Sequence, residues 1–250
     1  MNKFLLTLGA ICTLITGGVL LCAGGGSYTY TDPFPIDNTR TATVGYVKDS
    51  VVTIHVVMTY VPDTGTPFQR QWLGSGIILD KAGQVLTNWH VADDQQEPAA
   101  REYKIALFNG DELQAAFVRS DMAVDLGLLQ ILDPPQTLVP AVLADYDPIM
   151  CQDVLVFGSP RGLHGSVSHG IVSALAREVT VNLYRGGPPV SSVTFRNLIQ
   201  LDAPINPGNS GGPATDIYGR VIGLVNCGGS SDGIGFAVSI EEIRKFLNRG

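Results

Sequence analysis

Ser210 stands in the run Gly208-Asn209-Ser210-Gly211-Gly212-Pro213. Glycines let a backbone turn sharply and approach a ligand closely. A serine that attacks a carbonyl needs that setting, because the amide N–H groups beside it must point at the oxyanion that develops. Such a hydroxyl would carry out acyl transfer, given a base to take its proton and a carboxylate to orient the base. A glycine-rich hairpin turn is the plain alternative for the run taken alone.

The order of the partners along the chain narrows the chemistry. Gly208 to Gly212 also fits G-x-S-x-G, the nucleophile elbow of α/β-hydrolases, in which the histidine follows the serine. His55, His90, His164 and His169 all precede Ser210, which removes that reading. The order Asp, His, Ser could begin at Asp80, but it belongs to an α/β chain that this strand-rich sequence does not supply. The order His, Asp, Ser remains. His90 ends the apolar stretch 85–91 and is expected to emerge at a strand end. His55 lies mid-strand, and His164 and His169 fall in a glycine-rich loop. Asp125 heads the apolar run 126–131, where a carboxylate can accept from the imidazole N–H, hold its tautomer and stabilise the imidazolium. Asp121 is the rival.

The elements that must position these groups read as β-structure. Short runs rich in β-branched residues cover 51–60, 76–79, 103–108, 113–118, 126–131, 154–157, 170–174, 193–201, 221–226 and 235–238, separated by Gly, Pro, Asn and Asp. That pattern predicts an all-β barrel or sandwich. Pro134-Pro135 to Pro140 is the expected link between two β lobes, at about 45–133 and 141–250. One helix is predicted at the C-terminus, with Ser239 as cap, Glu242 completing a capping box, and Ile240, Ile243, Phe246 and Leu247 on one apolar face. Residues 27–44, with Pro33 and Pro35, read as extended.

The chain has 250 residues, 45% of them hydrophobic and 16% charged, enough for a sizeable core. A formal charge of -7 and the lack of a Lys/Arg run argue against nucleic acid as a partner. Residues 4–23 are apolar after Lys3. They suit a signal peptide cut near Gly25, within segment 1–26, and equally an uncleaved membrane tether. Either way the body is exported, to the periplasm or another extracytoplasmic space. Of the four cysteines, Cys151 and Cys227 lie in the body, where they either pair or stand as small hydrophobes. No metal ion, cofactor or nucleotide is called for.

Six motifs in order resemble the HtrA (DegP-like) branch of chymotrypsin-fold serine proteases: Gly74-Ser75-Gly76-Ile77-Ile78, Leu86-Thr87-Asn88-Trp89-His90-Val91, Asp125-Leu126, Gly158-Ser159-Pro160 with Gly170-Ile171-Val172-Ser173, residues 202–213 around Ser210, and Gly233-Ile234-Gly235-Phe236-Ala237. The resemblance runs from about Val44 to Leu247. It implies two six-stranded antiparallel β-barrels with a C-terminal helix, and a triad of His90, Asp125 and Ser210 at their junction. It also implies an oxyanion hole at Gly208, Asn209 and Ser210, served by the N–H groups of Gly208 and Ser210. The PDZ domain that many members carry after the protease is not expected here, and Pro204 and Cys227 are less usual choices near the pocket.

By the same resemblance the substrate pocket lies between Ile205-Asn206, Asn226-Cys227-Gly228 and Ile234 to Phe236, with Cys227 a cleft neighbour and not a nucleophile. It holds no acid to attract Lys or Arg, so cleavage of unfolded polypeptides after small or medium aliphatic residues is expected. In digestive relatives an Asp just before the serine pairs with a freshly cut N-terminus. Asn209 is neutral, so that activating ion pair is not available. Trimers held by Tyr28, Tyr30 and Phe34 are a further implication. A protease-fold chaperone or binder with latent catalysis is the competing function.

Overall fold

The structure, a computed structural model, describes residues 19–21, 27–29, 39–93, 98–184, 189–229 and 233–249. Residues 1–38 and 39–250 form separate compact units. In the first, β1 (Val19–Leu21) and β2 (Ser27–Thr29) pair antiparallel, with Leu20 opposite Tyr28. Most of the 4–23 segment, and Tyr30 and Phe34, lie outside the described residues. No helix among the described residues is long and apolar enough to cross a membrane.

The second unit opens with α1 (Thr39–Val47), where an extended chain is predicted as far as residue 44. Tertiary packing decides the difference. Helical spacing puts Thr43 and Val47 on one buried face. The Thr43 hydroxyl donates to the Ile217 carbonyl, and Val47 joins Val51, Leu155 and Phe157 in a small apolar cluster.

Six antiparallel strands then close a barrel in the order β3-β4-β5-β8-β7-β6. They are β3 (Val51–Tyr60), β4 (Phe68–Ile78), β5 (Gln84–Thr87), β6 (Ala100–Ala106), β7 (Glu112–Asp121) and β8 (Leu126–Ile131). Along β3, Ile54, Val56 and Met58 alternate into a dry interior, as period-two patterning of β-branched residues requires. Residues 134–140 carry no strand or helix.

The second sheet comprises β9 (Val142–Leu143), β10 (Asp153–Gly158), β11 (Ser166–Tyr184), β12 (Pro189–Leu201), β13 (Pro213–Thr215), β14 (Arg220–Gly228) and β15 (Gly235–Ser239). Its order is β13-β10-β11-β12-β15-β14-β9, and β13 also pairs with β14. That last pairing closes six of the strands into a second ring, with β9 added parallel to β14. The expected pair of six-stranded barrels is therefore present. Strands β11 and β12 run well beyond the predicted 170–174 and 193–201 and form a long hairpin, with Val181 opposite Val193. One apolar cluster spans both barrels, taking Ile77, Leu86, Leu126 and Leu128 from the first and Val156, Leu201 and Leu224 from the second.

The chain ends in α3 (Ile240–Leu247), as predicted. The Ser239 hydroxyl accepts from Glu242 N–H at 3.4 Å, and Ile240, Ile243 and Phe246 are buried. Arg119 donates to the Phe246 carbonyl at 2.8 Å, tying the last helix to the first barrel.

Candidate active site

His90 does not emerge from a strand end. Strand β5 stops at Thr87, and His90 lies in the single helical turn α2 (Trp89–Ala92). A turn this short has orphan carbonyls that need donors, and two aromatic side chains supply them. Trp72 Nε1–H donates to Val91 O at 3.0 Å and Tyr103 O–H to Ala92 O at 2.6 Å. Asn88, which precedes the turn, donates from Nδ2 to the carbonyl of Asp125 at 3.0 Å. The turn that carries the histidine is thus fastened directly to the residue that must orient it.

Asp125 enters β8 with φ +53° and is 0% exposed. Its carboxylate accepts from His90 Nδ1, 2.9 Å from each oxygen, and from His90 backbone N–H at 3.1 Å. It also accepts from Asn226 Nδ2 at 2.7 Å. A carboxylate can only accept here, so Nδ1 carries the proton and Nε2 is left as the basic nitrogen. Withdrawal from water lowers the imidazole pKa, but the charge and hydrogen bond of Asp125 outweigh it and leave His90 above its ordinary value. The imidazole remains 39% exposed. Asp121 is not part of the site: it pairs with Arg249 at 2.9 Å.

Ser210 sits in the turn between β12 and β13. Gly208 (φ +104°) and Gly211 (φ +83°) take up the left-handed conformation the turn requires. At Gly212 a Cβ would stand 2.1 Å from Phe157 O, so the backbone itself fills that space. Ser75 of β4 clamps the turn from the first barrel, donating from N–H to Ser210 O at 2.7 Å and from Oγ to Gly208 O at 2.7 Å. Ser75 O in turn accepts from Thr87 Oγ1 at 2.7 Å. Behind the clamp Ser159 N–H donates to Ser75 Oγ at 3.0 Å, and the Ser159 hydroxyl meets that of Thr53. Thr53 also lies 2.8 Å from His164 Nδ1.

Within the turn, Asn209 N–H donates to Asn206 O at 3.0 Å. The N–H groups of Gly208 and Ser210 donate to no other described residue. The Ser210 hydroxyl donates to Asn226 O at 3.1 Å and not to His90.

A cleft of about 580 Å³ runs past His90 and Ser210. The expected residues Ile205, Asn206, Asn226, Cys227 and Gly228 line it. Ile234 and Phe236 do not: Phe236 lies across from Cys227 and Gln200 in the sheet, and Ile234 O accepts from Gly229 N–H at 2.7 Å. Val181 and Phe195 of the long hairpin supply apolar wall instead, with Trp89 and Pro207. The alternation of 178–183 and 193–195 is the signal that could have placed the hairpin there. Apart from His90, no lining residue among the described residues is ionisable at neutral pH. Cys151 and Cys227 are unpaired, and burial, aided by the negative charge of Asp125, pushes the Cys227 thiol up to about 11. It stays protonated. No cluster that could hold a metal ion occurs among the described residues.

Residues 74–224 match the trypsin-like peptidase domain family. The chain is similar to the "Probable periplasmic serine endoprotease DegP-like" of Brucella suis, 37% identical over 181 residues, which cover 70% of this chain and 32% of that protein. The "Serine protease Do-like HtrA" of Bacillus subtilis is 35% identical over 179 residues, covering 68% and 37%. The chain thus spans about a third of the length of the curated relatives it matches. Among solved structures, an HtrA-type protease with a tripeptide superposes with TM-score 0.65 at 29% identity, covering 84% of this chain and 62% of that one. The serine endoprotease from Yersinia pestis gives 0.63 at 28% identity, covering 84% and 65%.

Proposed function

The chain belongs to the trypsin-like peptidase family, and from that footing we propose that it is a serine endopeptidase of HtrA type, acting outside the cytoplasm on unfolded or misfolded polypeptides. One observation carries the reading. A fully buried carboxylate holds His90 Nδ1 at 2.9 Å, beside a serine whose own N–H and that of Gly208 are left without a partner among the described residues.

The chemistry follows from those positions. Ser210 Oγ swings from Asn226 O towards His90, and His90 Nε2 takes its proton as Oγ attacks the scissile carbonyl. Asp125 stabilises the imidazolium that results. The N–H groups of Gly208 and Ser210 receive the oxyanion, a contribution worth about 10²–10³ in rate per donor; Asn209 N–H is already spent. His90 returns the proton to the leaving amine, and water releases the acyl group by the same steps in reverse. The uncharged walls built by Ile205, Val181 and Phe195 favour a small or medium aliphatic residue on the acyl side. Such side chains are exposed mainly when a protein unfolds. Trimer formation, which rests on family resemblance, and a membrane tether through residues 4–23, which rests on the length and apolar character of that segment, belong to the same proposal.

A second reading, a chaperone or binder with latent catalysis, draws on the Ser210 hydroxyl being bonded to Asn226 O. Digestion of an unfolded protein, beside a Ser210→Ala control and with cut sites read by mass spectrometry, separates the two. Cutting after aliphatic residues that vanishes in the control supports the endopeptidase. Binding without cutting by either protein supports the binder, and cutting chiefly after Lys, Arg or Glu overturns the pocket assignment.

A further inference from the structure

Arg161 is placed where charge can act on the reaction. Residues 160–162 form a tight turn in which Gly162 N–H donates to Ser159 O at 3.0 Å and Leu163 N–H to Pro160 O at 2.9 Å. Arg161 occupies it at φ +54°, ψ +26°, a left-handed conformation that is strained for a residue with a side chain and free for glycine. Glycine would satisfy the backbone equally well. What arginine adds is a long, permanently charged arm, and strain of this kind gathers at working sites.

The turn abuts the serine turn. Arg161 N–H donates to Pro207 O at 3.0 Å, and a Cβ on Gly208 would stand 2.4 Å from Ser159 O and 3.0 Å from Arg161 N. Arg161 is exposed, and its guanidinium has no hydrogen-bond or ion-pair partner among the described residues. By contrast Lys48, near the same edge, is paired with Asp49 at 2.8 Å.

Position then sets the half of a substrate it meets. On one side of Ser210 lies β14, through Gly211 N–H to Val225 O at 2.9 Å and Ser210 Oγ to Asn226 O, and the apolar cleft is on that side. On the other side lie Ser75 of β4 and the 160–162 turn, where Gly162 approaches Leu73 Cδ1. A peptide whose acyl half filled the cleft, as far as Pro207, would carry its leaving half off on the side of Leu73 and Arg161.

Resting on the endopeptidase reading above, we infer that Arg161 is a specificity-determining residue that favours substrates with a carboxylate, as Asp or Glu, just after the scissile bond. The preference must be local, since the chain as a whole carries a charge of -7 and repels acidic polypeptides at long range.

The test uses three internally quenched peptides with one acyl half and Asp, Asn or Lys at the first two positions after the scissile bond. Wild type, Arg161→Gly and Arg161→Glu are compared; glycine suits the φ of the turn, so that variant keeps its backbone. Wild type should show a kcat/KM ratio of Asp to Lys peptide of about two- to five-fold per charge, the range of an exposed ion pair, shrinking in about 0.5 M salt. The ratio should fall to near one in Arg161→Gly and invert in Arg161→Glu. Equal ratios in all three proteins, with the Asn peptide cleaved, overturn the role of Arg161 alone. An Asn peptide that wild type does not cleave overturns the endopeptidase reading and this inference with it.

Discussion

Asn226 reaches Asp125 with its side chain, Nδ2 to Oδ2 at 2.7 Å, while its carbonyl accepts the Ser210 hydroxyl at 3.1 Å. One residue of β14 thus touches both ends of the candidate triad. Asn226→Ala removes a donor to a buried carboxylate, and a hydrogen bond to a charged group contributes about 1.5–3 kcal/mol. We expect kcat/KM to fall about 10–100-fold, mostly in kcat. A variant as fast as wild type, measured on one peptide, would remove Asn226 from the positioning of Asp125.

The acid limb of the rate profile should lie above the ordinary histidine value. His90 acts as a base only when neutral, and Asp125 holds its pKa up, so kcat/KM should rise with pH through a midpoint above about 6.5. Asp125→Asn should cost about 10⁴ in kcat. The same shift has a stability side. A folded-state pKa above the unfolded one stabilises fully below about pH 6.5 and ceases to do so as pH climbs through the folded value. An acid limb at or below the ordinary value would contradict the Asp125 contact.

Thiol reagents should sort the two body cysteines. Cys151 is exposed, whereas the Cys227 thiol, pushed up to about 11, carries under about one part in a hundred of thiolate at pH 8. Iodoacetamide followed by peptide mapping should label Cys151 well before Cys227, and activity should survive the first event. Cys227→Ser should remain active; loss of all activity would call for a thiol role that its ionisation does not support.

Two substitutions should separate site from scaffold. Gly212→Ala sets a Cβ 2.1 Å from Phe157 O, which only backbone movement can relieve. We expect a loss of about 2 kcal/mol or more and little activity. Ser239→Ala removes the cap of α3 and should cost about 1 kcal/mol with cleavage intact, as read by denaturant melts and peptide hydrolysis together.

The candidate triad was legible because its chemistry restricts order and type: a serine set in a glycine-rich run, every histidine upstream of it, and an aspartate between them at the head of an apolar run. Most strands of both barrels and the capped α3 were legible from local patterning, while β9, β13 and residues 68–75 of β4 fall outside the predicted runs. What escaped depends on contacts between distant parts of the chain. Helix α1 forms because Thr43 and Val47 dock on the 217–219 turn and neighbouring strands, and α2 because Trp72 and Tyr103 satisfy its carbonyls. Neither cause is written in the helices' own residues. Asn226 read as pocket lining, and its tie to Asp125 spans 101 positions. Val181 lies beyond the predicted run 170–174, and Phe195, though inside the predicted run 193–201, reaches the cleft through the pairing of β12 with β11.

The clamp of Ser75 on the turn of Ser210, and of Asn226 on Asp125, divides the site between early and late parts of one chain. A nascent polypeptide carries His90 and Asp125 long before Ser210 and β14 have been made. A copy synthesised only as far as the first barrel therefore holds two members of the candidate triad and lacks the third, together with the strand that ties them.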